Sequence, residues 1–204
     1  MNSRNELLAK IAAVTGPTGV LTGDDVSARP VSWLNPAPCE AGAIVRPAST
    51  EEVSRVLALC HAAGQVVIPV GGNTGLVEGT LASPRDIMIS TERMTAIEAT
   101  DIDGATMTVQ AGVPLEVVQT RAAEQGFMFP VDFGARGSAA IGGAISTNAG
   151  GNSVIRYVMM REQVLGLEAV LADGTVVSSM NRMLKNNAGY DLKQLFIGTE
   201  GTLG

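Results

Sequence analysis

Aromatic side chains are scarce: four Phe, two Tyr and one Trp in 204 residues, or 3%. A core without them must rest on Val, Ile, Leu, Met and Ala. There are two cysteines, Cys39 and Cys60, at no metal-ligand spacing, so neither a disulfide framework nor a cysteine metal site is indicated. Cys60 falls on the apolar stripe of a predicted helix and reads as a buried free thiol. The single histidine, His61, lies on the same helix and suits a surface position. No block of Lys or Arg offsets the formal net charge of −6, which disfavours non-specific binding to nucleic acid. No run approaches the roughly 18 apolar residues of a membrane span. The first 16 residues resemble no secretory signal, so a cytoplasmic location is expected.

What is abundant is apolar aliphatic surface and glycine. Hydrophobic residues make up 46% and charged residues 17%, a composition that folds. The 24 glycines predict tight turns, or places where backbone must come close to something.

The hydrophobic pattern is mixed. Leu7, Leu8, Ile11 and Val14 predict a short amphipathic helix. Residues 16–38, rich in Gly, Pro, Ser and Asp, read as a surface arm with Trp33 as its candidate anchor. Apolar triplets at 43–45, 66–68 and 87–89 predict strands. Ser49 and Glu52 form a capping-box pair before Val53, Val56, Leu57 and Cys60, and Gly64 closes that helix. Asp103–Gly104 and Asp173–Gly174 predict two-residue hairpin turns. Pro114 is placed as the first residue of a helix with Leu115, Val118 and Ala122 buried, ended by Gly126. Leu192, Leu195 and Phe196 suggest a short buried turn of helix. Without regular βαβ alternation, the fold class is α+β.

Three segments carry chemistry. Pro69–Gly79 follows a strand and sets Gly71, Gly72, Asn73, Thr74 and Gly75 in succession, ahead of Leu76. Such a run can turn successive N–H groups inward and bind a phosphate without a side-chain charge. A plain turn is the alternative. No Gly-Lys-Ser/Thr follows, and GxGxxG is absent, so phosphate-loop and Rossmann readings fail. In Phe127–Glu168, the stretch Gly137–Ala144 is too small-sided for an ordinary surface helix, and Thr147, Asn148, Gly150 and Gly151 form a second glycine turn. Packing alone could account for the small residues. The third segment, Leu184–Gly204, ends in the polar turn Gly198–Gly201.

The stretches DFGARGSAAIGGAISTNAGG, RYVMMREQVLGLEAVLADGTVV and GYDLKQLFIGTEGTLG resemble the FAD-binding half of vanillyl-alcohol-oxidase (PCMH-type) flavoproteins. Within that group they resemble the D-2-hydroxyacid branch, which includes D-2-hydroxyglutarate dehydrogenase, D-lactate dehydrogenase and the glycolate oxidase FAD subunit. The resemblance covers residues 43–204. Residues 1–42 add little to it and are read as an N-terminal arm; the resemblance implies two α+β lobes, about 43–111 and 112–204, with FAD stretched between them. Gly71, Gly72, Asn73, Thr74, Gly75 and Leu76 would then serve the pyrophosphate. Pro130, Asp132, Gly137, Ser138, Gly142 and Gly143 would line the adenosine and pyrophosphate path. Thr147, Asn148, Gly150 and Gly151 would lie near the flavin ring or ribityl chain, and Glu200 and Gly201 would close the adenine-side wall.

Some relatives link FAD covalently through a His after the paired glycines. Asn73 stands there in this chain, so the FAD is expected to be non-covalent. The family's substrate-binding cap, with its basic anchors and metal site, would lie beyond Gly204. No catalytic side chain and no metal ligand is therefore assigned within this chain. Arg136, Arg156, Arg161, Lys185 and Lys193 follow no clamp pattern and read as solvated surface. The implied activity is oxidation of a small D-2-hydroxy acid to a 2-oxo acid, with an unidentified electron acceptor. The alternatives are a flavin-binding module or inactive fragment, and a nucleotide-sugar reductase on the same fold.

Overall fold

The structure is a computed structural model that describes residues 3–204. It divides into two compact units. The first runs through Met94 and takes in Val170–Val176; the second comprises Thr95–Ala169 and Val177–Gly204.

The first unit is built around one sheet. Its elements are α1 (Ser3–Thr15), β1 (Val20–Leu21), α2 (Asp24–Ser27), β2 (Ala43–Val45), α3 (Thr50–Ala62), β3 (Val67–Val70) and β4 (Ile87–Ser90). The strand order is β1-β2-β4-β3. β2 and β3 both run parallel to β4, while β1 pairs antiparallel with β2. β2 and β4 are buried on both faces, which is why they read as continuous apolar runs. Leu7 and Ile11 of α1 join Val45, Val56, Cys60 and Ile87 in one core. Each fully buried aliphatic side chain there contributes roughly 1.5–3 kcal/mol.

α3 begins as its sequence predicts, since Ser49 Oγ accepts from the Glu52 amide at 3.2 Å. The Glu52 carboxylate reaches one residue further back than a capping box requires and accepts from the Ala48 amide at 2.8 Å. Burial pushes the Cys60 thiol up to about 11, consistent with an inert packed cysteine. Residues 16–38 are held differently from expectation. Trp33 is 72% exposed and anchors nothing, whereas Val26 of α2 is buried in a second core with Cys39, Ile44 and Met88.

The second unit contains β5 (Ile97–Asp101), β6 (Thr106–Val109), α4 (Leu115–Glu124), α5 (Ile141–Ser146), α6 (Val154–Tyr157), α7 (Met160–Gln163), β7 (Leu167–Val170) and β8 (Val176–Ser179), the last two strands running into the Val170–Val176 segment of the first unit. Its core gathers Val113, Leu115, Val118, Val131, Ile141, Met160 and Ile197.

Both hairpins occur, but with longer turns than Asp-Gly suggests. Asp101 pairs with Thr106, leaving four residues in the first loop, and the positive φ falls on Ala105. There the Asp101 carboxylate accepts from the Gly104 amide. In the second, Leu171 and Thr175 bond across three residues, with Gly174 at φ +89°. That is the three-residue form, with glycine in the left-handed position. Pro114 is the N-cap of α4 rather than its first residue. The turn at Leu192–Leu195 is a short 3-10 helix whose leucines are exposed; the buried residue of that segment is Ile197.

Candidate functional site

In the first unit the loop Gly71–Leu76 leaves the end of β3. Asn73 sits at φ +53°, left-handed for a residue with a side chain. Its side chain is engaged at both ends: Nδ2 donates to the Val31 carbonyl at 3.0 Å, and Oδ1 accepts from Thr80 Oγ1 at 2.7 Å. The loop is thus pinned from both sides by one amide group. Among the described residues, the backbone amides of Gly71 through Leu76 have no protein acceptor. A Cβ on Gly75 would meet nothing within 4 Å.

A cavity of about 310 Å³ opens beside this loop, lined by Gly71, Gly72, Asn73, Arg29, Ser90 and Glu92. Arg29 grips Glu92 with both terminal guanidinium nitrogens, at 2.5 and 2.9 Å. Arg46 adds a contact at 3.1 Å, and Ser90 Oγ another at 3.1 Å. These bonds, Arg29's foremost, overcome the opposing effect of burial and hold the Glu92 carboxyl at about 2. The same bond raises the Arg29 guanidinium above its ordinary value. Sequence reasoning missed this group. Its members come from distant positions, and the one local signal was a Glu two residues after the end of β4.

In the second unit three separate segments converge. Asp132 forms a bridge with Gly151, and the Asn152 amide donates to the Asp132 carbonyl at 2.9 Å. The Gly198 and Glu200 amides donate to the carbonyls of Ile145 and Ser146. So Asp132, the stretch from Ile145 to Gly151, and Gly198 through Glu200 lie together, while Ser138 bonds back to Ala135 and Gly137 faces Glu116.

Their side chains do different things. Asp132 is occupied by Arg136 at 2.9 Å and Gln119 at 3.1 Å. Thr147 Oγ1 donates back to the Gly143 carbonyl at 2.9 Å. Gly142 is required by packing, because a Cβ there would lie 2.8 Å from that of Ala111. Gly151, at φ +83°, would collide with the Asp132 backbone if it carried one. Asn148 (φ +47°) and Glu200 (φ +55°) are left-handed.

Two basic residues depart from the solvated-surface expectation. Arg161 is half-buried and donates to Gln194 and Ile197, and Lys193 is largely covered and pairs with Asp191 at 2.5 Å. Arg136, by contrast, is exposed in its ion pair with Asp132.

Residues 41–179 match the family model described as an FAD binding domain. The chain belongs to the FAD-binding domain family.

It is 45% identical over 174 residues to the mitochondrial D-2-hydroxyglutarate dehydrogenase of Bos taurus, covering 85% of this chain and 32% of that protein. It is 48% identical over 162 residues to the D-2-hydroxyglutarate dehydrogenase of Xanthomonas citri pv. viticola, covering 79% of this chain and 34% of that protein. The FAD-binding chain therefore spans about one third of the length of the curated relatives it matches.

Solved structures agree on the fold. Alkyldihydroxyacetonephosphate synthase superposes with a TM-score of 0.83 at 23% identity, over 98% of this chain and 38% of that one. The 6-hydroxy-D-nicotine oxidase of Arthrobacter nicotinovorans superposes with a TM-score of 0.69 at 19% identity, over 78% of this chain and 35% of that one. The α+β, PCMH-type FAD-binding fold is the one expected from sequence.

The residues present fit FAD. A run of unpaired backbone amides on a loop pinned at the left-handed Asn73 is the donor set an anionic pyrophosphate needs. Among the described residues, no His, Cys, Asp and Glu cluster could hold a metal ion, and no helix is long and apolar enough to cross a membrane.

Proposed function

We propose that this chain is the FAD-binding portion of a flavin-dependent oxidoreductase that oxidises a D-2-hydroxy acid to the 2-oxo acid. The observation that carries the cofactor reading is the set of amides from Gly71 to Leu76 with no protein acceptor. The substrate class is supported by the relatives named D-2-hydroxyglutarate dehydrogenase, so D-2-hydroxyglutarate is the first substrate to try.

In this reading the Gly71–Leu76 amides hold the pyrophosphate. Pro130, Asp132, Gly137, Ser138, Gly142 and Gly143 line the adenosine and pyrophosphate path. Thr147, Asn148, Gly150 and Gly151 attend the flavin and its ribityl chain, and Glu200 and Gly201 the adenine side. Asp132, Gly142 and Gly151 act through the backbone they position, since their own contacts are with protein. Bound FAD supplies the hydride acceptor and passes the electrons on. This chain's residues bind it, orient it and hold its phosphates.

Attachment is non-covalent. Asn73 is committed to Val31 and Thr80, and both cysteines are buried. The cytoplasmic location belongs to the proposal too; the Bos taurus relative is named as mitochondrial, and subcellular fractionation decides.

The test is to purify the folded chain with FAD, precipitate it with acid and identify the flavin by mass. Free FAD in the supernatant supports the reading. FMN alone, or no flavin from a folded sample, sinks it. Flavin left in the pellet overturns the non-covalent assignment.

A further inference from the structure

Arg161 is the hub of the second unit's polar turns. Its backbone amide donates to Asn148 Oδ1 at 2.9 Å. Its Nη1 donates to the Gln194 carbonyl at 3.1 Å and to Gln194 Oε1 at 2.6 Å, and its Nη2 to the Ile197 carbonyl at 2.5 Å. All of these acceptors on the guanidinium are neutral. One residue further on, the Gly198 amide returns to the Ile145 carbonyl, and the Glu200 amide to that of Ser146. The circuit is closed: residues 145–148, Arg161 and residues 194–200 are each bonded to the other two.

Two members of this circuit, Asn148 and Glu200, hold left-handed backbone that side-chain-bearing residues avoid. Such conformations persist where the surroundings over-determine them, and they concentrate at ligand clamps. The circuit supplies that over-determination, and the planar fork of the guanidinium, with several donors, bonds the Gln194 and Ile197 carbonyls together.

We propose that Arg161 is a positioning residue for the flavin site. It locks the Thr147–Gly151 turn and the Ile197–Gly201 segment into one body and so presents both to the cofactor. The inference rests on the reading of those turns as FAD contacts.

The test is FAD titration of the apo chain, followed by flavin fluorescence and visible circular dichroism. The proteins are wild type, Arg161→Met, Arg161→Lys, Asn148→Ala and the Arg161→Met/Asn148→Ala double variant. Thermal melting of each apo protein is recorded alongside. Arg161→Met is expected to weaken FAD about 10- to 100-fold. Arg161→Lys, which keeps charge and bulk, is expected to melt close to wild type yet still bind FAD about fivefold or more weakly, with an altered flavin dichroism band. The double variant is expected to bind within about twofold of the weaker single variant, because both changes undo the same ordering.

Wild-type affinity in Arg161→Lys, or additive losses in the double variant, would overturn the proposal. So would a lowered apo melting point with FAD affinity unchanged, which is the mark of a purely structural arginine. A folded wild type that binds no FAD is a different result. It removes the cofactor reading itself, and this inference with it, whereas the other outcomes strike the inference alone.

Discussion

Gly142 and Gly75 show how one residue type serves two purposes. Gly142 lies against Ala111, so adding a methyl must displace backbone; Gly75 faces open space. Gly142→Ala is expected to cost about 1–3 kcal/mol of stability, as overpacking does. Gly75→Ala is expected to leave the urea midpoint of the apo protein unchanged but to weaken FAD binding. A stability loss at Gly75 as large as at Gly142 would show that the pyrophosphate assignment has mistaken a packing glycine for a ligand-facing one. The sequence could not separate the two, because the distinction lies in what sits opposite, and Ala111 is 31 positions away from Gly142. Glu92 was illegible for the same reason, since its partners Arg29 and Arg46 come from other parts of the chain. Its carboxyl is held at about 2, against an ordinary 4.5. A depressed acid stabilises the fold above its unfolded value and loses that contribution as pH falls through the folded one. The melting-point gap between wild type and Glu92→Gln is therefore expected to be full near neutral pH and to close as pH drops from about 4.5 to about 2. A gap that widens on acidification would contradict the Arg29–Glu92 account.

Elements were easier to read than partners. α3 was legible because its signals are local: a Ser acceptor, a Glu three residues on, apolar spacing and a closing glycine at φ +63°. Ser49→Ala is expected to destabilise the chain by about 0.5–2 kcal/mol, read by urea denaturation, with little change in FAD affinity. The strands β2 and β4 were legible as apolar runs, but their order was not. That β2 and β3 flank β4 in parallel, joined through α3, is a βαβ arrangement hidden by the non-sequential strand order. Hairpin loops were placed correctly and measured wrongly. Asp-Gly announces a turn, but loop length depends on where the flanking strands come into register, as Asp101 with Thr106 shows. The exposed Trp33 makes the opposite point: a large aromatic in a Gly- and Pro-rich stretch suggested an anchor, while the smaller Val26 is the residue buried.

At the scale of the whole molecule, the chain carries cofactor chemistry and covers about one third of its relatives. We predict that FAD-loaded chain, given D-2-hydroxyglutarate, D-lactate or glycolate and a dye acceptor, turns over more than tenfold slower than a full-length relative. A hydride donor has to be held about 3–3.5 Å from its acceptor in one orientation. No substrate clamp is assigned to this chain's residues. Turnover within tenfold, a difference of about 1.4 kcal/mol, would place the substrate site inside these 204 residues.

The first unit is also discontinuous: Ser54 Oγ donates to the Gly174 carbonyl at 2.6 Å, and Gly174 packs against Ala58. During synthesis, α3 emerges long before the residues that cover it. At about 5–20 residues per second, the roughly eighty residues between Met94 and Val176 take about 4–16 s to make. For that interval the nascent unit must wait with the Ser54 and Ala58 face of α3 uncapped. A ribosome stalled near Met94 would hold an incomplete unit rather than a finished domain, and the hairpin made later acts as the closing stitch on a unit begun at the N-terminus.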